Sequence, residues 1–248
     1  MPEVIGHIEA IFRYPIKSMS GERLEVAEMG WHGFQGDRRL AFRRIEDSSG
    51  FPWLSASKLP DLLLFAPMRG ENGAPGELPT HVRTPDGALL PIFGAELAAE
   101  VGRRHRAPVQ MTHLDRGIFD EATLSVIASD TVHEIGRLAG QGADVRRFRP
   151  NVLVRLLRAG PFQEDDWVGG ALAFGEEADS PAIAVTMRDV RCSIVNFDPD
   201  SAAPAPEMLK AVVQTHQNTA GIYGAVTRTG RLSVGQPVML HAPAERRA

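Results

Sequence analysis

A single cysteine, Cys192, stands among 248 residues, so no intramolecular disulfide can form. That usage suits a reducing compartment. Long apolar runs are also missing. The densest, LPDLLLFAPM (59–68), carries a charge and two prolines, and it is far too short to span a bilayer as a helix. The N-terminus, MPEVIGHIEAIFRY, lacks the basic and apolar regions of a signal peptide; a cytoplasmic protein without a membrane partner is the expectation. The formal net charge of -4 argues against a nucleic-acid binder that relies on a global positive field. Phosphate-loop, dinucleotide-binding and nucleophile-elbow signatures are absent. His133-Glu134 begins like a zinc-protease helix, but Arg137 stands where the second histidine is needed.

What is present reads as a strand-rich globular chain, with 43% hydrophobic and 23% charged residues. From Val4 to Tyr14 one parity carries Val4, Gly6, Ile8, Ala10, Phe12 and Tyr14, which predicts a strand with one buried face. RRLAFRR (38–44), VLVRLL (152–157), AIAVTM (182–187) and VML (238–240) are further strand candidates. Three short helices are expected. GAELAAEVGRRH aligns Leu97, Ala98 and Val101, while SDTVHEIGRLAG aligns Val132, Ile135, Leu138 and Ala139. The second of these takes Ser129 or Asp130 as its cap and Gly140 as its stop. PEMLKAVVQTHQ gathers Met208, Leu209, Val212 and Val213 on one face. The Gly/Pro-rich stretch RGENGAPGELPT (69–80) predicts a surface loop.

Basic and polar clusters recur near the predicted strand ends: YPIKSMSG (14–21), GDRRL (36–40), RRFRPN (146–151) and VRC (190–192). Guanidinium groups match phosphate oxygens bidentately, lysine offers a point charge and serine a hydroxyl. Convergence of these clusters on one pocket would create a site for a multiply anionic ligand. Cys192 itself has three readings from its surroundings: inert core filler, a nucleophile, or a metal ligand.

Taken in order, YPIKSMSG, GDRRLAF, FRPNVLV (148–154), FQEDDW (162–167), VRCSIVNFDPDS (190–201) and VGQPVML (234–240) resemble the MOSC family, named for the C-terminal domain of molybdenum cofactor sulfurases. The likeness runs over essentially the whole chain and is nearest the amidoxime-reducing branch. It implies a β-rich α+β fold, in which a MOSC β-barrel at 109–248 packs against an N-terminal β-barrel-like domain at 1–108, with short helices. It further implies a molybdenum cofactor of the molybdopterin type, with Cys192 as metal ligand and catalytic residue. Lys17, Ser18, Arg38, Ser129, Arg149, Asn151 and Arg191 become the cofactor-binding residues. The implied activity is reduction of small N-hydroxylated or related N-oxygenated substrates, with electrons from a separate donor protein. The alternative is a non-catalytic carrier of cofactor or sulfur that uses Cys192 as a persulfide site. No aminotransferase-like region accompanies the motifs, so pyridoxal phosphate is not expected. NTAGIYGAV (218–226) replaces a more aromatic segment of nearer relatives, and is expected as a loop at the substrate mouth.

Overall fold

The computed structural model describes residues 2–69, 77–119 and 121–242. The first half contains strands β1 (Glu3–Arg13), β2 (Glu22–Leu24), β3 (Val26–Gly30), β4 (Gly33–Phe34), β5 (Leu40–Arg44), β6 (Ala66–Met68), β7 (His81–Arg83) and β8 (Leu89–Pro91). Helix α1 (Ala95–His105) and strands β9 (Val109–His113) and β10 (Leu124–Ala128) follow, then α2 (Ser129–Ala139), β11 (Val152–Leu156), β12 (Ala171–Phe174) and β13 (Ala182–Val190). The chain continues through α3 (Glu207–His216), β14 (Thr219–Arg228), β15 (Gly230–Ser233) and β16 (Pro237–His241). Among the described residues no helix is long and apolar enough to cross a membrane. Of the expected 69–80 loop, residues 70–76 lie outside the described residues.

Seven strands close into a barrel in the order β11-β10-β14-β13-β12-β16-β1, and β1 returns to β11. Closure leaves no unpaired sheet edge. Ile8, Val126, Val154, Phe174, Ile183 and Ile222 fill its interior, and Ala27, Met29 and Phe34 of the β3–β4 ribbon pack into the same core. Helices α2 and α3 bury Val132, Ile135, Met208 and Val212 against Ala10, Phe12 and Leu153 on the outside. A third core joins Ile16 and Met19 to Leu40, Phe42, Phe65, Leu97 and Met111, between the β5–β9 ribbon, the β6–β8 sheet and α1.

The parity expected for β1 breaks at a bulge between Ile8 and Ala10. An inserted residue flips every later side chain to the opposite face, so Ile8 and Ile11 point into the barrel while Ala10 and Phe12 face the helices. The three helices form where expected. Leu138 and Val213, at the margins of their stripes, face solvent. Neither Ser129 nor Asp130 caps α2: Ala128 occupies that position without a side-chain bond, while Gly140 ends the helix in the left-handed conformation as expected. Residues 218–226 do not form a loop. From Thr219 they belong to β14, where a Cβ on Gly221 would meet the Val126 carbonyl at 2.7 Å.

Behind the α2 terminus, Glu164 is fully buried; it accepts a hydrogen bond from Thr131 Oγ1 at 2.9 Å and one from the Ala128 amide at 3.3 Å. Burial pushes its carboxyl up to about 7, from an ordinary 4.5. Because the folded-state value is the raised one, the protonated group stabilises the fold fully below pH 4.5. That contribution is lost as pH rises through about 7. The shift corresponds to on the order of 3 kcal/mol. Glu164→Gln should therefore match the wild-type Tm near pH 4.5 and exceed it at pH 8 by roughly 5–10 °C, as read by thermal melts across that range. A gap independent of pH would contradict this account of Glu164.

Candidate functional site

Parallel pairing of β10 with β11 brings the starts of both strands to one end of the barrel, and a hydrogen bond from Ser125 to Asp189 ties the last residues of β13 to that end. There the segments 14–18, 36–38, 148–151 and 189–194 meet around a cleft of about 250 Å³. Lys17, Ser18, Arg38, Arg149, Arg191 and Cys192 all line it. Three of these, Ser18, Arg38 and Arg149, hold φ values of 67°, 51° and 52°. This left-handed conformation costs a residue with a Cβ about 1–2 kcal/mol. Glycine would avoid the cost but would supply no hydroxyl or guanidinium, and strain of this kind clusters at functional sites.

One buried carboxylate organises the basic side. Asp37 is 0% exposed. Its Oδ1 accepts the Tyr14 amide at 2.7 Å, and its Oδ2 accepts Arg38 Nη1 at 2.5 Å and Asn151 Nδ2 at 3.0 Å. Arg38 also donates to the Arg149 carbonyl at 2.9 Å and to Asn151 Oδ1 at 3.2 Å. The guanidinium carbons of Arg149 and Arg38 lie over the Tyr14 ring, 4.2 and 5.0 Å from its centroid. Burial pushes the Tyr14 phenol up to about 12 despite those nearby charges, so it stays neutral.

A second carboxylate organises the thiol side. The bulge between Arg188 and Val190 leaves Asp189 outside the ladder register, which is how a bulge re-aims a side chain. Asp189 Oδ2 accepts Ser125 Oγ at 3.1 Å and binds Arg191 Nη1. Arg191 also donates to the Phe148 carbonyl, fixing residue 191 against the segment that carries Arg149. Cys192 follows, exposed, just before the short turn Ser193–Asn196. It is outside any strand and outside the core, which removes the inert-filler reading. Among the described residues four cations and one carboxylate, Asp189, line this cleft, with Asp37 buried behind Arg38, in a chain whose net charge is -4. An anion is the ligand such a balance attracts.

Two expected residues take other places. Asn151 does not line the cleft. It is 1% exposed and its amide is engaged by Arg38, Asp37, the Ser125 amide and the Phe12 carbonyl, which places it behind Arg38. Ser129 lies at the other end of β10, about 13 Å along the strand from Ser125, where its hydroxyl bonds the Val154 carbonyl. The RRFR cluster also divides. Arg146 pairs with Asp144 and Asp200, Arg147 is buried against Val195 and Asp198, and only Arg149 reaches the cleft. Ser125 and Tyr223, cross-strand partners, also line it; Ser125 lies in no quoted motif, whereas Tyr223 belongs to the 218–226 segment expected at the substrate mouth. Asp37 and Asp189 could have been found as the acids one or two residues before an arginine of each cluster.

Comparison with known proteins bears on this arrangement. The family model described as MOSC domain matches residues 102–239, and the one described as MOSC N-terminal beta barrel domain matches residues 5–112. No curated protein matches the chain. Among solved structures, the YUAD protein from Bacillus subtilis is 15% identical with a TM-score of 0.54, over 98% of this chain and 100% of that one. YiiM from Geobacillus stearothermophilus is 20% identical with a TM-score of 0.37, over 48% of this chain and 53% of that one. The first of these likenesses shows a shared fold.

Removing Asp37 leaves the Arg38 guanidinium without its buried counter-ion. Asp37→Ala should lower unfolding free energy by roughly 3–5 kcal/mol, whereas Asp86→Ala, at an exposed carboxylate, should stay within about 0.5 kcal/mol of wild type. Urea denaturation of both variants checks the contrast.

Proposed function

The chain belongs to the MOSC family, and from that premise we propose that it is a molybdenum-cofactor oxidoreductase acting on N-hydroxylated or related N-oxygenated substrates. The observation that carries the reading is the chain's one thiol, exposed in the same cleft as Lys17, Arg38, Arg149 and Arg191. The chemistry of this donor set fits a cofactor that joins a thiolate-seeking metal to an anionic phosphate arm. A soft thiolate suits such a metal and stays deprotonated on it, while guanidinium and ammonium groups suit the phosphate.

In this reading Lys17, Ser18, Arg38 and Arg149 hold the anionic arm, and Cys192 is the protein's ligand to molybdenum. Bound there, the cofactor supplies two-electron removal of an oxygen atom, which with two protons leaves as water. The chain's own residues bind and orient. Asp189 and the Phe148 carbonyl hold Arg191, whose backbone delivers Cys192 to the cleft. Asp37 and Asn151 hold Arg38 at a fixed angle, so little side-chain freedom remains to be lost on binding. Electrons come from a separate donor protein. The exposure of Cys192 also suits the second reading, a carrier that holds sulfur there as a persulfide.

Protein made in a host that synthesises the cofactor should contain molybdenum and oxidise reduced viologen only when benzamidoxime is added. Cys192→Ala should fold normally and lose this turnover. A Cys192 persulfide after exposure to a sulfur donor, with no reduction of any N-oxygenated compound in a panel, would move the assignment to the carrier. In a separate measurement, Lys17→Ala and Arg149→Ala should each weaken cofactor retention by at least tenfold, since about 1.4 kcal/mol already gives that factor. Arg103→Ala should not, because Arg103 sits exposed on α1 paired with Glu100. Equal molybdenum content in all three variants would show that the cations do not share one ligand.

A further inference from the structure

The segment that brings Cys192 to the cleft is also held from a second side, by a turn that does not line the cleft. The backbone amide of Arg191 donates to the Asn218 carbonyl at 2.9 Å, so the residue before the thiol is tied to the connection between α3 and β14. That connection is unfavourable on its own. Gln217 and Asn218 are both left-handed, with φ of 53° and 64°. Asparagine visits this region as a single residue, but two successive residues bearing a Cβ need an outside hold. Here the hold comes from groups remote from the cleft. Arg188 donates to Asp165 Oδ2 at 3.1 Å and to Gln217 Oε1 at 3.2 Å, bridging the two. The same Asp165 oxygen lies 2.7 Å from His216 Nε2, and the Phe162 ring stacks on that imidazole with centroids 3.9 Å apart. Thr219 Oγ1 closes the turn by donating to the His216 carbonyl at 2.9 Å. Asn218 Oδ1, by contrast, is buried and accepts no hydrogen bond among the described residues. What this residue offers the thiol segment is its backbone carbonyl.

We propose that Asn218 is a positioning residue for Cys192: the left-handed turn aims its carbonyl at the Arg191 amide and so fixes the thiol among the cations of the cleft. Arg191 is then held twice, at its guanidinium by Asp189 and the Phe148 carbonyl and at its amide by Asn218. Two holds on one residue leave the next one little freedom. Without the second, the Arg191 side chain keeps its place while the backbone carrying Cys192 is free to turn away from it. The inference rests on the proposed function only in taking Cys192 as the group that acts. The thiol's placement is measurable without molybdenum.

The test compares the rates at which iodoacetate and iodoacetamide alkylate Cys192 in protein prepared without molybdenum. One reagent is anionic and the other neutral, so their rate ratio, taken relative to that of N-acetylcysteine amide, reports positive charge around the thiol. Wild type should show a ratio raised roughly fivefold or more. Asn218→Val places a β-branched residue where left-handed backbone disfavours it most, and its ratio should fall to about that of the reference thiol. Asn218→Gly keeps both the conformation and the carbonyl and should match wild type. Val101→Ala, in the separate core beneath α1, should lower the thermal melt without moving the ratio, which separates placement from stability. If Asn218→Val does not fold, Gln217→Ala decides in its place with the same fall expected, since it removes the Arg188 hold at an exposed residue. An unchanged ratio in the deciding variant overturns the proposal, as does a fall in Asn218→Gly or Val101→Ala. So does a wild-type ratio no higher than the reference. None of these outcomes depends on turnover, so failure of the redox reading is distinguishable from failure of this one.

Discussion

The Asp37 carboxylate lies where the end of β1, the approach to β5 and the approach to β11 come together. It accepts the Tyr14 amide, the Arg38 guanidinium and the Asn151 amide at once. A buried charge is tolerated only when paired and fully hydrogen-bonded, and one of these partners, Asn151, comes from 114 positions further along the chain. The arrangement joins the barrel to the smaller core through a few short polar contacts. Arg38 then bonds the Arg149 carbonyl, so the same carboxylate indirectly sets the segment carrying the next cation. The basic side of the cleft depends on this one group being in place.

Strain and compensation are distributed accordingly. Left-handed backbone at Ser18, Arg38 and Arg149 is unfavourable locally and is held by the surrounding pairing. The Lys17 amide bonds the Leu40 carbonyl and the Arg38 amide bonds the Tyr14 carbonyl, fixing the 14–18 and 36–40 segments against each other. Asp189 makes the equivalent arrangement on the thiol side, where a bulge in β13 frees it from the ladder and turns it to Arg191 and Ser125. Two carboxylates thus hold two arginines, and the cleft keeps a positive balance within a negatively charged chain. Its cation-rich lining is a property of placement, since composition points the other way.

Much of this was legible before any fold was known. The strand-rich character, the three short helices and the family followed from periodicity and from the order of six motifs along the chain. Six cleft residues, Lys17, Ser18, Arg38, Arg149, Arg191 and Cys192, were identified because short motifs near strand ends carry chemistry that side-chain type reveals. The absent disulfide and the unique thiol were likewise matters of composition alone.

What tertiary structure alone decided is what depends on register, dihedral angle and distance. The bulge at Ile8–Ala10 reassigned the faces of β1, and a one-residue insertion leaves the hydrophobic alternation on either side looking continuous. Pairing placed β14 between β10 and β13 and so put Tyr223, from a segment expected as a loop, opposite Ser125, which lies in no quoted motif, at the cleft. Three arginines spaced within four residues went to three destinations, because a short turn sends neighbouring side chains in different directions. Ser129 was separated from the cleft by the length of a strand, and Asn151 was drawn behind Arg38 by hydrogen bonds that no linear spacing encodes. Residue type thus announced which groups could bind an anion, and the geometry of the closed barrel decided which of them share one cleft.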